Sequence, residues 1–260
     1  MHSVAWIAWA AAAAIVAMST SNPFYLLVLV AAAALVHGAH RTAGPTARSF
    51  GIFLVGGIAA LFLRTALVML GTVHLENVIA AALEGLRLAT LLVVAGTFNS
   101  VADPYGVLRL APRRLHEPAL AAALALSIAP RTIAAAQRVR EAQEMRGIRI
   151  GRVRSVPALA VPVLETGMEE ALMLAESMDA RGHGRGRRTR YRPQRWNAAS
   201  ITVVASACVC VLPFLVAIVR GWGGLAPSTI PLRWPTVSLA LVVAAAGLAL
   251  PGFVRSGTAR

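Results

Sequence analysis

The feature that most constrains this chain is the recurrence of apolar runs long enough to cross a lipid bilayer. Roughly 20 helical residues span the ~30 Å hydrocarbon core of a membrane. Only 14% of the residues are charged, whereas a soluble domain normally has about 25%, so the chain lacks the polar groups needed to cover a globular surface. The sequence therefore predicts an all-α integral membrane protein.

The apolar runs predict about six transmembrane helices, with five as the lower bound. A single helix over 4–36 would be ~50 Å long at ~1.5 Å per residue, so two short spans joined at Ser21-Asn22-Pro23 fit better. The other expected spans cover about 50–70, 78–102, 198–219 and 236–254. We therefore expect a four-helix membrane region over 1–103, an inserted region over 104–197 and a second membrane region over 198–260.

Arginine is concentrated in the inserted region. All 25 basic residues are arginine, and 17 of them lie within 105–197. Loops rich in basic residues stay in the cytoplasm, so we expect a plasma-membrane protein whose termini and insert are cytoplasmic. This topology accounts for the net charge of +14 better than nucleic-acid binding does, and we expect no nucleic-acid partner.

The absence of lysine excludes two kinds of chemistry. A Walker A loop needs a lysine that reaches the terminal phosphates of ATP, and Schiff-base catalysis needs a lysine amine. The chain contains no lysine. If ATP drives this protein, another subunit must bind it. We also expect no catalytic residue, no cofactor and no metal site in this chain.

Two helices are predicted within the insert. The first runs from Glu117-Pro118 to Arg146-Gly147, with Pro130 as an internal kink, and the second runs from near Pro162 to Arg181-Gly182. An apolar face is predicted on the second helix because apolar residues recur there at intervals of three and four positions. The members of this face are Leu164, Met168, Leu172, Ala175 and Met178.

The ends of these two helices form a small internal repeat. The segments 141–147 and 176–182, 35 residues apart, share the pattern Glu-x-x-acid-x-Arg-Gly. One interpretation is local, because an arginine near a helix C-terminus complements the helix dipole by ~0.3–1 kcal/mol. The other is that each guanidinium is a rigid fork that binds an acidic groove of a partner. The acidic residues of the repeat are Glu141, Glu144, Glu176 and Asp179.

The chain resembles the T components of energy-coupling factor (ECF) transporters, the EcfT/CbiQ family. The resemblance is strongest over 84–184 and depends on four segments. Two of them are in and just after the fourth expected span, and two are the helix ends. The segments are Gly85-Leu86-Arg87-Leu88-Ala89-Thr90, Asp103-Pro104, Met145-Arg146-Gly147 and Ser177-Met178-Asp179-Ala180-Arg181-Gly182-His183-Gly184.

The resemblance implies a function for both helix ends. Met145-Arg146-Gly147 and Ala180-Arg181-Gly182 would be coupling motifs that contact two ABC-type ATPase subunits, as a homodimer or heterodimer. The membrane helices would hold a substrate-binding S component that selects a vitamin or a trace metal such as cobalt. The chain would then be a non-catalytic subunit that transmits ATPase motion.

A few polar residues inside the spans offer other candidate sites. Antiparallel packing would place Arg64 and Glu84 at similar depth, as a structural ion pair for which Arg87 competes or as part of a surface for the S component. His37 and His40 are three apart at a span end, where interfacial roles are favoured over metal binding. The alternative functions are a self-contained carrier and an intramembrane enzyme, for which the spans offer neither an inverted repeat nor a catalytic cluster.

Overall fold

The computed structural model describes residues 2–40, 45–70, 74–147, 156–183, 196–226 and 234–254. These residues are almost entirely helical and contain no strand, which confirms the all-α prediction for the part of the chain that the structure describes. The helices are α1 (Ser3–Ser19), α2 (Pro23–His40), α3 (Pro45–Met69), α4 (Leu75–Val101), α5 (Pro104–Leu108), α6 (His116–Met145), α7 (Val156–Ala180), α8 (Ala198–Arg220), α9 (Leu239–Gly247) and α10 (Leu250–Phe253).

The chain folds into two compact units. The first consists of Met1–Leu110 together with Gln194–Arg260, and the second is Ala111–Pro193. The sequence placed the borders of the insert at 103/104 and 197/198, a few residues away. Among the described helices, the first unit contains α1 to α5 and α8 to α10, and the second contains α6 and α7.

Five of the described helices are long and apolar enough to cross a membrane: α2, Ser49–Met69 of α3, α4, α6 and α8. This supports a multi-pass membrane protein, although the set differs from the six expected spans. Helix α1 is apolar but has 17 residues, about 26 Å of helix. Helix α6 is long and apolar enough to cross a membrane because of its first half, whereas its second half contains Arg131, Arg138 and Arg140. Its cytoplasmic placement stays a prediction.

The last expected span, 236–254, is wrong as one continuous helix. The structure has two short helices, α9 and α10, and between them the amides of Leu248 and Ala249 bond to carbonyls three residues earlier. Pro251 provides the physical reason, because its ring nitrogen has no hydrogen to donate to the carbonyl of Gly247. The next amide, that of Gly252, donates to the Ala249 carbonyl, and the Leu248 carbonyl accepts a buried hydrogen bond of 2.9 Å from Trp9 Nε1.

The turn between α1 and α2 lies where the sequence predicted it, and it is buried. Thr20 Oγ1 donates to the Leu225 carbonyl at 2.7 Å, and Asn22 Nδ2 donates to the carbonyls of Gly224 and Thr236 at 2.9 and 3.1 Å. Because Thr20 and Asn22 are almost completely inaccessible, these bonds replace water as their partners. The segment that follows α8 therefore covers the α1–α2 turn.

Helices α3 and α4 form an antiparallel hairpin in which glycines of α4 let the two helices approach closely. A Cβ atom added to Gly85 would lie 2.9 Å from Leu61 Cα, and one added to Gly96 would lie 2.6 Å from Phe53 Cβ. Small residues at such positions let two membrane helices approach closely. On the side of α4 that faces α2, Thr97 Oγ1 donates to the Val93 carbonyl at 2.9 Å and lies 3.4 Å from the Ala33 carbonyl. Helix α4 thus packs against α1, α2 and α3.

In the second unit, α6 and α7 pack against each other. Helix α6 continues through Pro130, as predicted. Helix α7 begins at Val156, six residues before the predicted start, and Pro162 lies inside it. The reason is Pro157, which occupies the first turn, where the missing amide hydrogen has no helical partner to lose. Residues 184–190, whose glycines and arginines predict a basic tether after α7, lie outside the described residues.

Candidate functional site

The first candidate motif is the C-terminal end of α6. The helix ends at Met145, and Gly147 has a φ of 81°, in the left-handed region that favours glycine. The amide of Gly147 donates to the Glu144 carbonyl at 3.0 Å. Met145, Arg146 and Gly147 are all exposed. The sequence motif therefore forms an exposed helix end with the arginine at its C-cap.

The second candidate motif, at the end of α7, has the same construction. Gly182 has a φ of 74°, its amide donates to the Asp179 carbonyl at 2.8 Å, and the amide of His183 donates to the Met178 carbonyl at 3.0 Å. These two bonds make a complete Schellman motif, which satisfies carbonyls that the helix end would otherwise leave unpaired. Ala180 and Arg181 are exposed beside it.

Neither motif arginine is engaged by the rest of the described chain. No hydrogen bond or ion pair joins the guanidinium of Arg146 or Arg181 to another described residue. The acidic neighbours, although exposed, do not hold them: Glu144 Oε1 accepts instead from Arg140 Nε at 2.9 Å. An exposed, permanently charged group with five donors is available to an acidic partner. Glu141, Glu176 and Asp179 lie on the exposed surface of the same two helix ends.

The structure brings Arg64 of α3 and Glu84 of α4 together. Arg64 Nε donates to Glu84 Oε2 at 3.1 Å, and Arg64 Nη2 contacts the same oxygen. The two side chains are 46% and 56% exposed. This ion pair therefore lies on an outer face of the α3–α4 hairpin.

Arg87 does not compete for Glu84. Its Nη2 donates to the Met18 carbonyl in the last turn of α1, a turn that contains no basic residue of its own. A cation at that position complements the negative end of the helix dipole. This contact could not be predicted from the sequence, because nothing in the spacing of residues indicates that α1 ends beside the middle of α4.

The histidines form interhelical contacts. His37 Nδ1 is 2.8 Å from Ser100 Oγ, and its ring stacks on Phe50 at 3.9 Å. His40 Nε2 is 3.1 Å from the Val254 carbonyl. Among the described residues, no group of three or more His, Cys, Asp and Glu side chains is arranged to hold a metal ion. Cys208 and Cys210 are both free thiols.

No family model matches the chain. It is similar to the energy-coupling factor transporter transmembrane protein EcfT of Listeria innocua, with 32% identity over 112 residues that cover 38% of this chain and 42% of that protein. It is also similar to EcfT of Bacillus subtilis, with 30% identity over 102 residues that cover 36% of this chain and 38% of that protein.

The chain thus spans about two fifths of the length of the curated relatives it matches. Its apolar helices agree with the word "transmembrane" in the names of both relatives. The two similarities agree with the resemblance to EcfT proteins that the sequence motifs indicate.

Proposed function

We propose that this chain is the transmembrane coupling subunit of an ECF-type ABC importer. The observation that supports the proposal most directly is the pair of matched helix ends. Each exposes an arginine beside a left-handed glycine, and neither arginine has a partner among the described residues. Two equivalent helix ends suit two equivalent binding pockets, such as a pair of ATPase subunits would provide.

The geometry of each tip suits a contact that must transmit force. A left-handed glycine turns the chain sharply away from the helix axis, so the arginine stays at the very end of a long helix. A guanidinium bound to carboxylates forms charge-assisted hydrogen bonds, each worth about 1.5–3 kcal/mol. The helices α6 and α7 have 30 and 25 residues. When the ATPase subunits move, their binding pockets displace the ends of these helices, and the helices transmit the motion.

The remaining parts of the proposal concern the partners. The ATPase subunits hydrolyse ATP, an S component binds a vitamin or a trace metal, and this chain catalyses nothing. The coupling helices lie on the cytoplasmic side of the plasma membrane, in agreement with the arginine content of the insert. The exposed apolar face of α7, in which Leu164, Met168 and Leu172 are each more than 60% accessible, provides a surface for the membrane or for a membrane-embedded partner.

Charge reversal at the two tips tests the proposal. The chain is co-expressed with the ATPase subunits of its own transport system and purified in mild detergent through a tag on this chain. We expect Arg146→Glu and Arg181→Glu each to weaken ATPase retention by about tenfold or more, since each charge-assisted bond is worth about 1.5–3 kcal/mol and ~1.4 kcal/mol corresponds to a factor of ten. The double variant should retain no ATPase and support no transport.

Arg138→Glu is the matched control, because Arg138 is exposed on α6 eight residues before Arg146. It makes the same change of net charge and should leave ATPase retention near the wild-type level. If the double variant retained the ATPases as well as the wild type does, the two arginines would not be coupling groups. Equal losses in the control and the tip variants would show that only overall charge matters.

A further inference from the structure

The ion pair of the α3–α4 hairpin lies within the membrane-spanning part of both helices. Arg64 and Glu84 are each six residues inside the predicted spans 50–70 and 78–102, which corresponds to about 9 Å of helix. Their side chains are nevertheless 46% and 56% exposed. Charged groups in membrane helices are costly when they face lipid, and they normally face a protein interior, a water-filled cavity or a partner. The hairpin thus exposes a pair of charges at a depth where lipid does not solvate them.

The pair belongs to one outer face of the hairpin. Glycines bring α3 close to α4 at two pairs of residues, Gly57–Ala89 and Leu61–Gly85. In two antiparallel helices, the positions that precede the contact residues lie on the same side of the pair. Those positions are exposed or half-buried and define the outer face: Gly56, Ala60, Glu84 and Leu88. The other side of α4 is covered, because Thr97, which follows the contact residue Gly96, is buried beside α2.

Both charged groups keep hydrogen-bonding capacity on this face. Arg64 donates from Nε and Nη2, and both bonds reach Glu84 Oε2. Within the described part of the chain, Glu84 Oε1 accepts no hydrogen bond and Arg64 Nη1 donates none. A guanidinium has five N–H donors, and a carboxylate accepts on both oxygens. The outer face therefore offers a charged donor and a charged acceptor side by side.

We propose that this outer face binds the same face of a second copy of the chain. Copies of a membrane protein insert with one orientation, so a two-fold axis that relates two copies lies along the membrane normal. Rotation about that axis keeps the depth of every atom. Because Arg64 and Glu84 meet at one depth, the arginine of each copy is level with the glutamate of the other. The face is therefore complementary in charge to itself, as a two-fold interface must be.

Gly56 and Ala60 let the two copies approach closely. They are four positions apart on the outer face, and a Cβ atom added to Gly56 would meet nothing within 4 Å. Small residues at this spacing are typical of helices that cross closely in a membrane. Close approach brings Arg64 Nη1 of one copy toward Glu84 Oε1 of the other. The proposal depends on the membrane location of α3 and α4 and does not depend on the coupling function.

Charge exchange between two differently tagged forms of the full chain tests the dimer. The forms are co-expressed, purified in mild detergent through one tag, and scored for recovery of the other. We expect the wild-type forms to co-purify. Two copies of Arg64→Glu, or two copies of Glu84→Arg, should co-purify less by about fivefold or more, because like charges then face each other. Arg64→Glu co-expressed with Glu84→Arg should recover to within about twofold of the wild type, because opposite charges again meet between copies.

The mixed pair separates contact between copies from contact within one copy, since both variants lose the internal ion pair. A mixed pair that recovers no better than either variant alone would overturn the proposal. Wild-type forms that do not co-purify would also overturn it, because the outer face would then belong to lipid or to a different protein.

Gly56→Ile tests the same face with both charges in place, and it decides the question if a charge variant does not fold. Isoleucine is too large for a close approach, so co-purification should fall by about fivefold or more. Gly51→Ile is the matched control and should co-purify like the wild type. Gly51 is exposed, and a Cβ atom added there also meets nothing within 4 Å, but it lies five positions before Gly56, about 140° around α3. Undiminished co-purification of Gly56→Ile, or an equal loss in Gly51→Ile, would refute the assignment of this face.

Discussion

Replacing Gly85 by alanine tests the packing of the α3–α4 hairpin most directly. The new Cβ would lie 2.9 Å from Leu61 Cα and 3.2 Å from the Leu61 carbonyl oxygen. Both are backbone atoms, so no side-chain rotation relieves the overlap. Helix α3 must therefore move away from α4 by several tenths of an ångström along this part of the interface.

The expected magnitude follows from two opposing terms. Overpacking a tight interface costs typically about 1–3 kcal/mol, whereas glycine to alanine inside a helix gains roughly 0.5–1 kcal/mol. Gly56 on α3 provides the matched control, because an added Cβ there meets nothing within 4 Å. Gly56→Ala should therefore be neutral or slightly stabilising, and Gly85→Ala should be less stable than Gly56→Ala by about 1–3 kcal/mol.

The assay is equilibrium unfolding of the chain in mixed micelles, followed by tryptophan fluorescence as the fraction of denaturing detergent is raised. Gly85→Ala should unfold at a lower fraction than the wild type. If the two variants unfolded together, the close contact between Gly85 and Leu61 would not contribute to stability, and the glycine-based account of the hairpin would be wrong.

Two further predictions concern the ion pair and the second helix tip. Glu84→Leu should destabilise the chain in the same assay, because Arg64 loses its partner. Adding Arg64→Leu should restore part of the loss, with a coupling energy of roughly 0.6–1.7 kcal/mol for an interhelical polar pair. Additive losses of stability would show that the two groups do not interact. Gly182→Ala should destabilise the left-handed end of α7 by about 1 kcal/mol, because that conformation disfavours a Cβ atom. Hydrogen exchange at the His183 amide should then become faster. Gly167→Ala, inside α7, should leave that exchange unchanged.

Helix ends could be predicted from the sequence because they depend on local chemistry. Each Arg-Gly pair at the end of an apolar period places glycine where a left-handed cap is needed, and both glycines have that conformation. The start of α7 was predicted wrongly for an equally local reason. Pro157 and Pro162 both suit a first helical turn, and periodicity alone does not decide between them.

Contacts that depend on helix length and on depth in the membrane were harder to predict from the sequence. Arg64 could be predicted to lie near Glu84, because both positions are counted from the one turn that joins α3 to α4. Arg87 was different, since its partner on α1 is reached only when the short α1 is set beside the longer α4. The break at Leu248–Ala249 likewise needed Trp9 as well as Pro251, because the carbonyl of Leu248 accepts from a donor more than 200 residues away.

Helix α4 lies in the first unit and precedes, along the chain, the short helix α5 after which the second unit begins. It packs against α1, α2 and α3, and it leads directly into α5, where the carboxylate of Asp103 accepts from the amides of Tyr105 and Gly106 at 3.1 Å each. A displacement that reaches the end of α4 must therefore move three neighbouring helices or break their contacts. Loosening α4 at Gly85 acts inside the first unit, whereas charge reversal at Arg146 acts at the tip of α6. If the coupling proposal holds, the first change should impair transport while the ATPases stay bound, and the second should weaken their retention.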